Sequence, residues 1–418
     1  MKYQSIRFGL SLFIFSVFIH MANGQMYDWR GPDRTGIYNE TGLLKKWPAA
    51  GPELLWEVED IGFGYSSVTI SDDAIYISGR KDSLDVITAL SFNGTKKWEV
   101  VYGDAWIRNH TGTRCTPTYV NGKIYLVSGA GDIVCVDKNG NIVWSKNHYK
   151  LYNARAARFG ISESPLYVDN KIIVSPGGGK ASLVAFDASN GDLVWEAEAL
   201  NENAHYVNPK LVKHGGKKII VSNLDTHIFG IDARNGKILW KINYDKQNEP
   251  TEDRLRKNHA MTPLYRDGKI LVANGYKFIA VQIELSKDGN EASVIWKNNE
   301  LGPHHGGAVL IGDYIYSTSY MSNSMGDWIC VDWNTGETQW KTRWRNKGSI
   351  ISADNMLYLF EEKSGHVALA NINPEKLDIV SEFKISKGEG PYWAHPVIRD
   401  GKLYIRHGEV LMVYSLKK

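Results

Sequence analysis

The chain has 418 residues, 43% hydrophobic and 23% charged, the composition of a well-packed globular protein. Its formal net charge of +3 is small for that length and removes the usual electrostatic case for nucleic acid or an anionic membrane surface as partner. Three widely spaced cysteines, Cys115, Cys135 and Cys330, make neither a disulfide framework nor a C-x-x-C site.

In chain order, Lys2 and Arg7 precede the apolar run "FGLSLFIFSVF", and "ANG" follows before Gln25. A positive start, an apolar run too short to span a bilayer and small residues at the cleavage positions predict a secretion signal over 1–24. A membrane anchor is the alternative. No cysteine follows the run, so no lipid attachment is expected there, and no later stretch is long and apolar enough to cross a membrane. The expected location is the periplasm or the cell exterior. Residues 25–52 form an N-terminal extension.

From residue 53 onward one pattern returns. "CVDKNGNIVW" (135–144) is restated as "AFDASNGDLVW", "GIDARNGKILW" and "CVDWNTGETQW". Aligned on the last residue, the copies end at Trp56, Trp98, Trp144, Trp195, Trp240, Trp296, Trp340 and, with a substitution, Phe383. The intervals of 42 to 56 residues match a propeller blade. Each interval also holds a second pattern, such as "TPTYVNGKIYLVSG" or "TPLYRDGKILVANG". These read as two alternating strands joined by a tight turn in which N-G, D-N or D-G supplies positive φ. The "D-x-x-N-G-x-x-x-W" element adds a third and a fourth strand, and no segment carries a 3.6-residue apolar period. Inner-strand sets begin near residues 66, 115, 164, 208, 262, 307, 349 and 395. The last set stops after its third strand, while "PELLWEV" is a fourth strand without a blade. The expectation is an all-β, single-domain, eight-bladed propeller over 53–418, of four-stranded antiparallel blades. Trp56 completes the final blade, which removes the open sheet edges of a partial ring. The tryptophans dock each blade on its neighbour. Cys135 and Cys330 occupy the place held by Ala185 or Gly230 in their repeats, as small buried residues.

Two stretches imitate other sites. "DKNGN" (137–141) resembles half of an EF-hand loop, but position twelve is His148 and the stretch reads as a β-turn. "PGGGKAS" (176–182) lacks the first glycine and the following helix of a phosphate loop and reads as a strand connection.

The pattern "A-x-D-x-x-T-G-x-x-x-W" resembles the tryptophan-docked repeat of the quinoprotein alcohol dehydrogenase-like superfamily, the pyrroloquinoline quinone (PQQ)-like propellers. The resemblance runs through essentially the whole mature chain. That superfamily holds PQQ-dependent dehydrogenases and non-enzymatic propellers such as the outer-membrane-protein assembly lipoprotein. "DWRGPDRTGIYNETGLLKKWP" (28–48) looks like the N-terminal segment of exported PQQ-like proteins, and is expected along the ring's outside or across one face.

Function on a repeat scaffold sits in the loops that rim the channel. Their inner ends aim Arg114, Glu163, Asn208, His259 or Thr262, His304 or His305, and His395 with Trp393 at one axis. In an extended segment adjacent side chains point oppositely, so at most one of His304 and His305 is expected to face the channel. The connections add Arg155, Arg158, Arg343 and Arg345 with Tyr149, Tyr152 and Trp344, suited to an anionic, partly planar or sugar-like ligand.

Three functions fit. The first is a monomeric binding platform holding an anionic small molecule, a glycan or a protein partner at the channel mouth. The second is what the resemblance implies, a dehydrogenase binding PQQ and calcium. Glu163 and Asn208 are then the metal ligands, Arg114 pairs with a quinone carboxylate, and His395 and Trp393 complete the cofactor site. In that reading His259 is the only local substitute for the catalytic aspartate, and the family's adjacent-cysteine disulfide is missing. The third is a polysaccharide lyase or hydrolase, with His305 or His259 as base and Arg114 stabilising an enolate; for hydrolysis only Glu163 is well placed.

Overall fold

Hairpins form where the turn residues accept positive φ. Asn121 and Gly122 (φ 48° and 81°) turn the strand Thr118–Val120 back into Lys123–Val127. Asp169 and Asn170 (φ 48° and 58°) do the same for the next repeat, in the conformation that two-residue hairpin turns need. In the second turn of four repeats an aspartate, Asp137, Asp187, Asp232 or Asp332, acts on the backbone. Asp137 Oδ1 accepts the N–H groups of Asn139 and Asn141, each at 2.9 Å, so "DKNGN" is a closed turn.

The computed structural model describes residues 26–248, 257–276 and 278–417; the secretion signal read over 1–24 lies outside them. These residues build eight blades of antiparallel strands, at 69–104, 118–147, 166–196, 210–243, 264–298, 309–342, 348–384 and 397–415. Helix is almost absent: among the described residues one five-residue α-helix, His148–Tyr152, accompanies two short 3-10 turns.

The repeated tryptophan closes the contact between blades. In the second blade Trp144 stands opposite Cys135, and the register shifts immediately afterwards, between Cys135 and Val136. The same bulge follows Ala185, Gly230 and Cys330, opposite Trp195, Trp240 and Trp340. A bulge strengthens local twist and re-aims the side chain beside it, here at the next blade. Trp144 Nε1 donates to Ala188 O of the third blade at 3.0 Å, and Trp98, Trp195, Trp296 and Trp340 donate to Lys138 O, Ala233 O, Trp333 O and Asn373 O. The N-G or T-G glycine receives the indole: a Cβ on Gly191 would lie 2.8 Å from the Trp144 ring. Apolar layers therefore lie between blades. One of them joins Ile173, Ala185 and Trp195 of the third blade to Ile220, Phe229 and Ile231 of the fourth.

The ring closes through its ends. Leu54–Val58 pairs antiparallel with Val410–Ser415, placing Trp56 opposite Val413, and a Cβ on Gly94 of the first blade would lie 2.8 Å from the Trp56 ring.

The N-terminal extension does more than cover a face. Met26–Tyr27 runs antiparallel to the inner strand of the second blade, with Met26 opposite Val120; Ile37–Tyr38 runs parallel to that of the seventh, with Ile37 beside Ser352. The chain thus enters the channel along one blade, turns over within it and leaves along another. Arg34, 2% exposed, pairs with Asp28 at 2.5 Å and donates to Pro209 O and Pro165 O, both at 2.9 Å. Arg30 donates to Ala308 O at 2.7 Å. Two guanidinium groups, whose donors fan out in a plane, satisfy inner-strand carbonyls from three blades. Beyond the channel the extension lies on the outside, where the Trp47 ring stands edge-on to Phe383 at 5.2 Å.

Candidate functional site

The hairpin apex stops the channel and gives the loop face a floor. Above it lies a cavity of about 220 Å³. Trp29 forms its base, edge-on to His395 with ring centroids 5.1 Å apart. Its wall is a belt of rings in successive contact. Tyr206, Phe159, His110 and Trp393 follow one another at 6.1, 5.4 and 5.3 Å. The belt continues through His305, His304 and Tyr276 at 5.4, 4.5 and 4.9 Å, and Tyr65 backs Trp393 at 4.9 Å. These rings come from the connections between blades and from one loop of the fifth blade, so only ring closure assembles them.

Alternation at each inner end decides which side chain reaches the cavity. Arg114 reaches it, with its guanidinium 5.4 Å above the Tyr65 ring and a hydrogen bond to Gly112 O at 3.2 Å. Burial lowers its pKa, Asp85 partly offsetting this from a distance, and among the described residues it makes no ion pair. Asn208 also lines the cavity, but its Oδ1 is taken by the Ser164 N–H at 2.5 Å. Glu163 does not. Its neighbour Ser162 faces the cavity while the Glu163 carboxylate turns back to Ser175, accepting the N–H at 3.0 Å and the hydroxyl at 2.9 Å. Burial pushes Glu163 up to about 7 despite those bonds.

His259 is displaced in the same way. Asn258 and Ala260 line the cavity, and His259 between them points away, fully buried, with Nε2 3.1 Å from Asp225 O and its ring 4.8 Å from Phe278. Burial drives it down to about 3, so it stays neutral and out of reach of a ligand. Thr262 is buried and outside the cavity as well.

The expectation that only one of His304 and His305 faces the channel fails. Both line the cavity, because His304 takes φ 54° and the left-handed turn cancels the alternation of an extended strand. His304 Nε2 lies 3.0 Å from the Tyr276 hydroxyl, and Tyr276 is itself left-handed at φ 59°. Such strained positions concentrate at functional sites. His305 Nε2 lies 3.1 Å from Glu362 Oε2, and the ammonium of Lys347, 1% exposed, contacts Oε1. Burial pushes the Glu362 carboxyl up, but His305 and Lys347 outweigh it and hold it below the usual range.

Trp393 and His395 both line the cavity, and His395 is a brace. Its Nδ1 lies 2.8 Å from Arg30 Nη1 and its Nε2 lies 2.8 Å from His305 O. A guanidinium only donates, so Nδ1 accepts, Nε2–H donates to the carbonyl and the ring is neutral. Burial accordingly keeps its pKa well below 6.5.

The basic connections do not contribute. Arg343 is paired with Asp327, Arg345 with Glu382 at 2.7 Å, and the Tyr152 hydroxyl donates to Glu196 at 2.6 Å. Neither these residues nor Arg155, Arg158, Tyr149 and Trp344 line the cavity. Sequence reasoning missed Trp29, Tyr65, His110, Phe159, Tyr206, Tyr276, Glu362 and Lys347. Tyr65, Phe159 and Tyr206 lie within four residues of inner ends already singled out, so counting aromatic residues there would have found them.

An eight-bladed ring with indoles docked on turn glycines is the architecture of the PQQ-like propellers. The chain belongs to the family described as outer membrane protein assembly factor BamB, whose model matches residues 33–150 and 83–342. It is 27% identical over 210 residues to a protein of that name from Shewanella oneidensis, covering 49% of each chain. It is 28% identical over 108 residues to a lanthanide-dependent methanol dehydrogenase from Methylacidiphilum fumariolicum, covering 23% of this chain and 17% of that one. The chain thus spans about half, or less, of the curated relatives it matches. Among solved structures, BamB from Moraxella catarrhalis superposes with a TM-score of 0.63 at 14% identity, over 87% of this chain and 99% of that one. Quinohemoprotein alcohol dehydrogenase from Comamonas testosteroni gives 0.51 at 13% identity, over 92% and 79%. At such identities these likenesses concern the fold. Among the described residues no helix is long and apolar enough to cross a membrane.

The residues present do not fit a calcium-held quinone. The Glu163 oxygens are committed to Ser175 behind the cavity wall, and the Asn208 oxygen to Ser164. Calcium needs six to eight oxygen ligands, and the expected pair does not present its oxygens to the cavity together.

Proposed function

We propose that this chain is an exported binding propeller whose loop-face cavity takes a ring-shaped, anionic group, the acidic end of a glycan being the best fit. The observation that carries this is the blind cavity itself: a belt of aromatic and imidazole rings over Trp29, with the unpaired Arg114 guanidinium in its wall. Flat rings bury the apolar faces of a sugar, and a guanidinium pairs bidentately with a carboxylate. About 220 Å³ is below the usual range for a drug-sized ligand, roughly 300–1,000 Å³, so one ring or the end of a chain is accommodated. The match to proteins named as assembly factors supports a platform that also holds a protein on this face.

The dehydrogenase reading draws on the two dehydrogenases among the similar proteins, but its expected metal ligands and base, Glu163, Asn208 and His259, are occupied or turned away. The lyase reading keeps His305 and loses His259.

The test is thermal melting of the full mature chain with uronate-bearing oligosaccharides, their neutral counterparts, and quinone with calcium, since a ligand of the native state must raise the midpoint. The acidic sugars should raise it, and Arg114→Gln and Trp393→Ala should each abolish the shift. A rise with quinone and calcium alone, or none with any acidic sugar, overturns the reading.

A further inference from the structure

Two imidazole nitrogens at the cavity wall lack hydrogen-bond partners. His304 Nδ1 and His305 Nε2 are both shut off from solvent, and neither makes a hydrogen bond of acceptable geometry, although Glu362 Oε2 stands 3.1 Å from His305 Nε2. Burying such a nitrogen unpartnered is costly, and so its persistence calls for a ligand or a strained role. With a carboxylate oxygen of Glu362, one atom from each of His304 and His305 lies within 4.8 Å of the others. The rest of the cluster already orients these groups. With His304 Nε2–H donating to the Tyr276 oxygen, 3.0 Å away, Nδ1 presents its lone pair to the cluster. The Lys347 ammonium holds Glu362 Oε1 and donates to Asn323 O at 3.1 Å, which leaves Oε2 facing His305.

We propose that His304, His305 and Glu362 are the three protein ligands of a divalent transition-metal ion whose remaining positions open into the cavity. Two neutral imidazoles and one carboxylate suit zinc, cobalt, iron or manganese, and three protein ligands with an open position is the pattern of sites where a metal meets a ligand. Tyr276 and Lys347 fill the supporting role that fixes a tautomer and a carboxylate rotamer around such an ion. A proton relay through Glu362 and His305 is the competing use of the same residues; it accounts for His305 Nε2 and leaves His304 Nδ1 without a purpose. The ammonium beside Glu362 opposes the ion's charge, so imidazole affinity carries the binding and calcium is disfavoured.

The inference uses the cavity assigned above to ligand binding, and the ion is tested without any organic ligand, so either proposal can fail alone. Metal-free full mature chain is titrated with cobalt, read by visible absorption, and with zinc, read by calorimetry. One equivalent of each should bind, and the melting midpoint should rise. His304→Asn should weaken binding about a hundredfold or more, and Tyr276→Phe, which acts through His304, about tenfold. Glu362→Gln leaves Lys347 buried without a counter-charge, so it is paired with Lys347→Met to keep the fold, and the double variant should lose zinc as His304→Asn does. Absence of cobalt absorption and zinc heat in the folded parent overturns the proposal. Undiminished one-to-one binding in His304→Asn overturns it equally, as does displacement of zinc by an equal concentration of calcium.

Discussion

Trp144 stands on the outer strand of the second blade, 7% exposed, its indole nitrogen bonded to Ala188 O of the blade beside it. Trp29 stands at the apex of the N-terminal hairpin, half-buried, one edge on His395 and a surface left to the cavity. The first belongs to a set whose members pack on the next blade, five of them donating to a carbonyl there, while Trp56 packs on Gly94 of the first. The second belongs to a region made of contacts that occur once, such as Arg30 with His395, 365 residues away. The ring wall is redundant and local; the channel is unique and assembled from distant segments. Damage to the wall should therefore cost stability alone, whereas damage to the channel lining should separate stability from binding.

The largest effect is expected where the two regions meet. Arg34→Ala strands the buried Asp28 carboxylate and inner-strand carbonyls of two blades, and should cost about 3–5 kcal/mol in denaturant unfolding. In the wall, Trp144→Ala should cost about 3–5 kcal/mol, and Gly191→Ala, which presses a methyl on the same indole from a φ of 76°, about 1–3 kcal/mol. The two should not add, since they spoil one contact. An unchanged midpoint in either would remove the docking account.

Glu163 separates the regions by pH. Its folded-state value of about 7 lies above the ordinary 4.5, so its contribution to stability is full below about pH 4.5 and is lost as pH rises through 7. The loss is about 3 kcal/mol at 1.36 kcal/mol per pH unit of displacement. Unfolding of Glu163→Gln and parent at pH 5 and pH 8 should show the parent losing about 2.5 kcal/mol more between the two, the rest of the loss falling below pH 5. Equal slopes would mean the carboxylate is solvated, as a calcium ligand at the cavity would be.

The smallest effect on stability is expected at Trp29. Trp29→Ala should change unfolding by less than about 1 kcal/mol, because a side chain kept half-buried for contact with a ligand gives up little packing. It should nevertheless abolish the melting shift from acidic sugars. Loss of stability without loss of binding would reverse the comparison.

The blade count and the docking role of the tryptophans were legible because the pattern behind them repeats within a few positions and eight repetitions average out the irregular ones. The closure of Trp56 on Val413 followed from strand counting, a fourth strand without a blade at one end and a blade short of its fourth strand at the other. The candidate site was half legible. Arg114, Asn208, His305, Trp393 and His395 reach the cavity, whereas Glu163 and His259 sit one residue out of phase with it. At a loop end the side-chain face flips with every residue, and a single left-handed position such as His304 resets the phase.

By itself, then, the sequence determined a closed ring of eight sheets, since strand alternation, turn glycines and the tryptophan period are short-range instructions. Tertiary structure alone decided that the N-terminal hairpin would stop the channel and that Trp29, Glu362 and two histidines would share its mouth. Those contacts link residues hundreds of positions apart, and they depend on carbonyls and cavities that do not exist until the ring has closed.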